Sequence, residues 1–112
     1  MKLGWLILGL AAKTRPVVIV SRFDSGAPRS LVVCVPLTTQ NRMSWCEVAL
    51  PTLPFLDRDS DANLQGIGSI PTVHLERRLG RLPAPVMTEL KSALAFALDL
   101  DSLRAARRPD FR

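Results

Sequence analysis

Two unbroken apolar runs constrain the fold of this chain more than any other feature of its sequence. Residues 17–20 read Val-Val-Ile-Val, and residues 31–35 read Leu-Val-Val-Cys-Val. A strand with one face in water alternates apolar and polar side chains, whereas these runs are apolar at every position. They fit strands that are covered on both faces. We therefore expect a closed or semi-closed β-barrel with a further element packed on it.

The rest of the chain divides into further strands, a loop and one helix. The pattern predicts strands at residues 3–8, 17–22, 31–38, 45–50 and 68–75, a turn at 25–28, a loop at 51–65 and a short pairing segment at 76–82 with Gly80 at a bend. Pro85 suits the first position of a helix. A helical stripe follows at Val86, Leu90, Leu94, Ala97 and Leu98. The sequence thus predicts a mainly β fold with a C-terminal helix.

A length of 112 residues is typical of one domain, which we place at residues 1–100. Residues 101–112 lose apolar periodicity after Leu103 and are predicted to form a basic C-terminal tail. The opening residues 1–13 combine a basic start with an apolar run, as a signal peptide does, but they lead directly into the next strand. We interpret them as a first barrel strand. Their apolar run is too short for a membrane-spanning helix, which needs about 20 residues.

The charge balance favours a polyanionic partner. The net charge is +5, and 12 of the 15 basic residues are arginines. A guanidinium offers a planar fork of donors that matches a phosphate group. The alternative is a basic surface without a ligand, because net charge alone does not define a site.

Several familiar kinds of site are not supported by the sequence. A zinc site needs about four Cys or His ligands, and the chain has one His and two cysteines without CxxC spacing. We interpret Cys34 and Cys46 as reduced core residues, and His74 as a strand position. There is no phosphate-binding GxxxxGK[ST] loop. The pair Gly66 and Gly68 suits a bend or a close backbone approach rather than a dinucleotide site.

Polar side chains collect where two predicted strands meet. Arg15 and Pro16 directly precede the run at 17–20, and Thr38 and Thr39 end the strand at 31–38. In an antiparallel pair, the start of one strand lies beside the end of the next. Arg15 and Thr38 would then face one groove, where a guanidinium and a hydroxyl can hold a phosphate. The alternative is that Arg15 is a surface residue and the threonines merely end a strand.

Three segments in this order resemble the PemK/MazF family of toxin–antitoxin endoribonucleases. They are "TRPVVIVS", then a strand ending "VPLTTQNR", then "NLQGIGSIPTVHLERRLGRLPAPVMTEL", and the similarity runs from about residue 3 to residue 100. The resemblance implies a small SH3-like antiparallel β-barrel and a cytoplasmic homodimer. It also implies cleavage of single-stranded RNA, such as mRNA, through a 2′,3′-cyclic phosphate, without metal or cofactor. A cognate antitoxin would block the RNA groove.

By the same resemblance, Arg15 and Thr38 are the candidate catalytic residues. The candidate RNA-binding residues are Arg22, Thr39, Gln40, Arg42, Gln65, Arg77 and Arg78. Some relatives carry a catalytic Arg and Asp on a later strand, where this chain has Asn63 and Gln65, which cannot act as acid and base. Two alternatives therefore stay open: a degenerate member that binds only RNA or antitoxin, and a non-enzymatic toxin that inhibits a DNA topoisomerase.

Overall fold

A computed structural model of the chain describes residues 5–10, 14–22, 30–40 and 44–100. The strands are β1 (Trp5–Leu10), β2 (Thr14–Ile19), β3 (Leu31–Thr38), β4 (Glu47–Ala49), β5 (Asp61–Asn63), β6 (Gly68–Pro71) and β7 (Leu75–Arg81), and the helix is α1 (Ala84–Ala97). Single 3₁₀ turns lie at Leu64–Gly66 and Thr72–His74. The predicted mainly β class with a C-terminal helix is confirmed. The predicted turn at 25–28 and the tail at 101–112 lie outside the described residues.

The strands pair antiparallel in the order β4-β5-β3-β2-β1-β7. Strand β3 holds this arrangement together, because it pairs with three others along its length: with β6 through residues 31–34, with β2 through 34–36 and with β5 through 37–38. Among the described strands, no pairing joins β4 to β7. The barrel-like sheet is therefore open along this path.

The apolar runs are buried on both faces of the sheet over most of their length, as predicted, although Leu31 at the start of the second run is exposed. Val18 belongs to a helix-side cluster, whereas Val17 and Ile19 belong to a cluster on the opposite, far side. The helix-side cluster includes Val35, Leu37, Val48, Ala62, Met87 and Leu90. The far-side cluster adds Val32 and Cys34, with Ile70 and Leu75 packed against them. Each face of β2 and β3 is thus covered by a different part of the chain.

The helical stripe is confirmed except at its end. Val86, Leu90, Leu94 and Ala97 all pack in the helix-side cluster. Leu98 is half exposed, because the helix ends at Ala97. The helix begins at Ala84, so Pro85 takes its second position rather than its first.

Several predicted boundaries were wrong. The strands predicted at 3–8 and 45–50 are Trp5–Leu10 and Glu47–Ala49 in the structure, and the one predicted at 17–22 ends at Ile19. Strand β2 begins at Thr14, so Arg15 lies inside the strand rather than before it. Pairing of β2 with β3 begins only at Val17, which leaves Pro16 where a missing N–H is tolerated. The predicted loop at 51–65 contains β5, whose three residues are too few to show alternation. The predicted strand at 68–75 is interrupted by a 3₁₀ turn that includes His74, which is exposed.

The predicted close backbone approach is confirmed at Gly66. A Cβ atom built there would lie 2.6 Å from Cγ of Pro36, so no side chain fits between this turn and β3. Gly80 has a similar role, since a Cβ there would lie 2.6 Å from the ring of Phe55. Gly80 also borders a register shift between β1 and β7, in agreement with the predicted bend.

Candidate active site

The pairing of β3 with its two neighbours places three polar residues in one row. Val17 lies opposite Pro36, and continuing this antiparallel register by two residues brings Arg15 opposite Thr38. On the other side of β3, Thr38 lies opposite Asp61. Opposite residues in an antiparallel pair project from the same face, with Cβ atoms about 4.5–5.5 Å apart. We call Arg15, Thr38 and Asp61 the Arg–Thr–Asp row.

The row faces away from the main core because of strand alternation. Leu37 lies opposite Ala62, and Ala62 lies opposite Val48. All three are buried in the helix-side cluster. The residues one position along on the same strands must project to the other face. The packing of the core therefore fixes the direction in which the row points.

Arg15 lies within β2, and the Nε donor of its side chain has no acceptor among the described residues. Its side chain is half buried, and its Nε is buried without a hydrogen-bond partner in the part of the chain that the structure describes. On β1 it lies opposite Gly9. A buried donor without an acceptor costs about 1–3 kcal/mol. An anionic oxygen is the natural acceptor for such a guanidinium group.

The Thr38 hydroxyl is oriented by a hydrogen bond from the backbone two residues further along the chain. Its Oγ1 accepts a hydrogen bond from the backbone N–H of Gln40 at 3.1 Å. The hydroxyl proton therefore remains available for an external acceptor. Thr38 also lines both of the cavities described below, so it stands at the centre of this surface.

Asp61 is a site residue that sequence reasoning missed. Among the described residues it is the only buried charged side chain, with 7% of its surface exposed. Burial raises the pKa of its carboxyl, and the nearby charge of Glu47 raises that pKa further. Asp57 and Asp59 precede it in the same acidic stretch, so composition alone does not distinguish it. The register against β3 does distinguish it.

A cavity of about 290 Å³ lies on one side of Thr38, and we call it the arginine cavity. It is lined by Pro16, Leu37, Thr38, Thr39, Phe55, Leu56, Asp57, Arg58, Ser60, Arg77 and Leu79. Thr39 and Arg77, two of the candidate RNA-binding residues, both line this cavity. Arg58 was missed because it lies in the Pro- and Asp-rich segment. Arg58 and Arg77 outnumber Asp57 in this lining, so its formal charge is positive.

A second cavity, of about 490 Å³, lies on the other side, and we call it the tryptophan cavity. It is lined by Thr38, Gln40, Ser44, Trp45, Cys46, Glu47, Asn63 and Gln65. Trp45 is 60% exposed, and its ring meets Phe96 edge-on with centroids 5.9 Å apart. The amides of Gln40, Asn63 and Gln65 each carry donors and an acceptor. This cavity combines an aromatic surface with hydrogen-bonding groups.

Two other predicted binding residues, Arg22 and Arg78, line neither cavity, and neither do Arg15 and Asp61 of the row. Arg22 is exposed beyond the end of β2 that is distant from Arg15. Arg78 follows Arg77 in β7 and does not line either cavity, since neighbouring strand residues project to opposite faces. Arg42 lies outside the described residues.

Two kinds of feature are absent from the described residues. They contain no group of three or more His, Cys, Asp or Glu side chains placed to hold a metal ion. Their single α-helix, 14 residues long, does not meet the length needed to cross a membrane.

Solved structures share this fold. Toxin MazF-mt6 from Mycobacterium tuberculosis has a TM-score of 0.76 and 27% identity, over 85% of this chain and 96% of that one. A mycobacterial endoribonuclease in complex with its cognate antitoxin has a TM-score of 0.78 and 28% identity, over 89% and 96%. MazF from Deinococcus radiodurans, at 19% identity and a TM-score of 0.76 over 88% and 96%, shares the fold.

The family follows from the sequence match. Residues 9–98 match the family of PemK-like, MazF-like toxins of type II toxin–antitoxin systems. The chain belongs to this family, which confirms the resemblance noted in its sequence. No curated protein sequence matches the chain significantly.

Proposed function

We propose that this toxin is an endoribonuclease that cleaves single-stranded RNA, including mRNA, without a metal ion, and leaves a 2′,3′-cyclic phosphate. The observation that carries the proposal is the register of β2 and β3, which when continued by two residues places Arg15 opposite Thr38, together with the buried Nε of Arg15, which has no hydrogen-bond partner among the described residues. Membership of the toxin family and the likeness to a mycobacterial endoribonuclease support it.

In the proposed reaction, the 2′-oxygen attacks the adjacent phosphorus while the bond to the 5′-oxygen breaks. Negative charge builds on the non-bridging oxygens as this happens. Arg15 stabilises that charge with a charge-assisted hydrogen bond. Thr38 donates its hydroxyl proton to a phosphate oxygen, since its own oxygen is already engaged by Gln40. Neither role requires a metal ion.

The two cavities suggest the course of the RNA strand. Arg58 and Arg77 in the arginine cavity suit a neighbouring backbone phosphate. Trp45 in the tryptophan cavity suits a nucleobase, which stacks on the exposed ring and meets the surrounding amides. The strand then passes over Thr38 between them, with the cleaved phosphate at the Arg–Thr–Asp row.

We further propose a cytoplasmic homodimer that is inhibited by a cognate antitoxin. A similar solved structure, at 28% identity, is a mycobacterial endoribonuclease in complex with its cognate antitoxin. A net charge of +5 favours an acidic antitoxin segment in place of RNA. Among the described residues outside the tryptophan cavity, the exposed large apolar side chains are Leu31, Val73, Phe96, Leu98 and Leu100. So much exposed apolar surface on a small chain favours a homodimer, in which a second copy of the chain buries that surface.

The decisive experiment incubates the purified protein with end-labelled single-stranded RNA in EDTA. We expect cleavage with 2′,3′-cyclic phosphate ends, and no cleavage where a single 2′-deoxy nucleotide replaces the ribose at the cleavage site. Equal cleavage of the deoxy-substituted RNA would rule out internal attack. Retardation without cleavage would identify a degenerate RNA-binding member. If the RNA is neither cleaved nor retarded, a non-enzymatic toxin is favoured.

A further inference from the structure

The proposed reaction needs a group that takes the proton of the attacking 2′-hydroxyl. Arg15 and Thr38 cannot do so, because a guanidinium stays protonated and an alcohol is a very weak base. Asn63 and Gln65 carry amides, which do not take up protons at neutral pH. A base must therefore come from a residue that the sequence pattern does not single out.

Asp61 is a carboxylate placed directly beside Thr38. It lies opposite Thr38 in β3 and opposite Ala49 in β4, so its strand is paired on both sides. The next residue, Ala62, is fully buried in the helix-side cluster. This pairing and packing hold Asp61 in a fixed position on the same face as Arg15 and Thr38.

The surroundings of Asp61 do not explain its burial in structural terms. The groups on its face are Thr38 from β3, Ala49 and the like-charged Glu47 from β4, and Arg15 from β2 beyond Thr38. The Nε of Arg15 makes no hydrogen bond to it in the described part of the chain. A buried carboxylate next to another carboxylate destabilises a fold. Such an arrangement is typical of a functional group rather than a structural one.

We propose that Asp61 is the general base of RNA cleavage in this toxin. The inference rests on the proposed ribonuclease function and adds a catalytic residue to it. As the bond from the 2′-oxygen to phosphorus forms, the 2′-proton moves to the Asp61 carboxylate. The bond from phosphorus to the 5′-oxygen breaks, and the 5′-oxygen takes a proton from water. Asp61 then returns its proton to solvent, so the protein is unchanged.

The electrostatic setting suits this role. Burial and the charge of Glu47 both raise the pKa of the Asp61 carboxyl, so that this pKa lies closer to neutral pH than the usual value does. A base is most effective when its pKa lies near the working pH. The cleavage rate should therefore rise about tenfold per pH unit below this pKa and level off above it.

The test compares Asp61→Asn with Asp59→Asn in single-turnover cleavage. Asp59 is an exposed carboxylate in the same segment, bonded at 3.2 Å by the Thr52 hydroxyl, and unlike Asp61 it has no partner position on β3. We expect Asp61→Asn to cleave about 10²–10⁴ times more slowly. Its affinity for RNA with a 2′-deoxy nucleotide at the cleavage site should stay within about twofold of wild type, because the substitution affects the chemical step and not the binding of RNA. Asp59→Asn should keep the wild-type rate.

The outcomes separate the two proposals. If Asp61→Asn cleaves at the wild-type rate with the same pH profile while Arg15→Ala does not, the role of Asp61 is wrong and the ribonuclease stands. If the wild type cleaves no RNA, the ribonuclease proposal and this inference fall together. If Asp61→Asn does not fold, the wild-type profile decides: a rate independent of pH between about 4 and 8 overturns the inference.

Discussion

Strands β3 and β5 present two faces that differ in what their residues do. On one face, Leu37 and Ala62 pair in the helix-side cluster and stabilise the fold. On the other face, one residue along each strand, Thr38 pairs with Asp61 at the candidate site. The same backbone pairing thus supports a core on one side and a polar row on the other. The comparison predicts that substitutions on the two faces separate stability from activity.

The largest change in stability is expected on the core face. Leu37→Ala removes a buried side chain and leaves a cavity, which should lower the free energy of unfolding by about 2–5 kcal/mol. Chemical denaturation measures this directly. Cleavage per folded molecule should change little by comparison. A variant as stable as wild type would show that Leu37 does not hold β3 against the helix-side cluster.

The largest change in activity is expected on the row. Arg15→Ala should slow cleavage at least about 10²–10³-fold, the usual cost of losing one oxyanion donor. Thr38→Ala should lose less, and Arg15→Lys should recover little because a point charge cannot reproduce the guanidinium fork. Thermal unfolding should stay near wild type for all three. Cleavage by Arg15→Ala at the wild-type rate would mean that the row has been misassigned.

A smaller effect on binding is expected beside the row. Trp45→Ala should weaken RNA binding by about 1–3 kcal/mol, the usual value of one base stacked on an aromatic ring. The affinity is measured on uncleavable RNA that carries a 2′-deoxy nucleotide. Ser92→Ala, at an exposed position of α1 outside both cavities, serves as the control. Equal affinity for both variants would place the RNA elsewhere on the surface.

The smallest expected effect is on stability, and it is the change with pH in the stability of Asp61→Asn relative to wild type. A carboxyl whose pKa is raised by folding stabilises the fold below its unfolded pKa of about 3.9, and that contribution is lost as pH rises through the folded value. Asp61→Asn should therefore gain stability relative to wild type at neutral pH and gain little near pH 3. Melting temperatures at both pH values test this. A relative gain that shrinks as pH rises would contradict the raised pKa.

The fold was predictable where local pattern and tertiary packing agree. The sequence predicts the strand at 31–38 with the bounds that the structure shows, because β-branched residues favour a strand and a polar segment follows it. The start of β2 was misplaced, since Pro16 suggests a boundary when it lies inside a strand. The helix was predicted within one residue at its start.

The candidate site was predictable only in part. Arg15 and Thr38 could be paired because antiparallel strands bring their ends together. Asp61 could not, since its short strand exists only by pairing with β3 and β4. Trp45 looked like a strand residue, but β4 begins at Glu47 and leaves the ring exposed. A role that depends on strand register or on exposure cannot be predicted from the type of the residue alone.

The three partners of β3 have a consequence for how this protein tolerates change. Because side chains alternate along a strand, deleting one residue of β3 would exchange its two faces beyond the deletion. Thr38 would then turn toward the helix, Leu37 would lie opposite Val17 on the other face, and Thr39 would take the position between Arg15 and Asp61. Point substitutions can adjust the site gradually, but a single-residue deletion in β3 would remove the core and the site together. Length variation among functional relatives should therefore fall in the connecting loops and spare this strand.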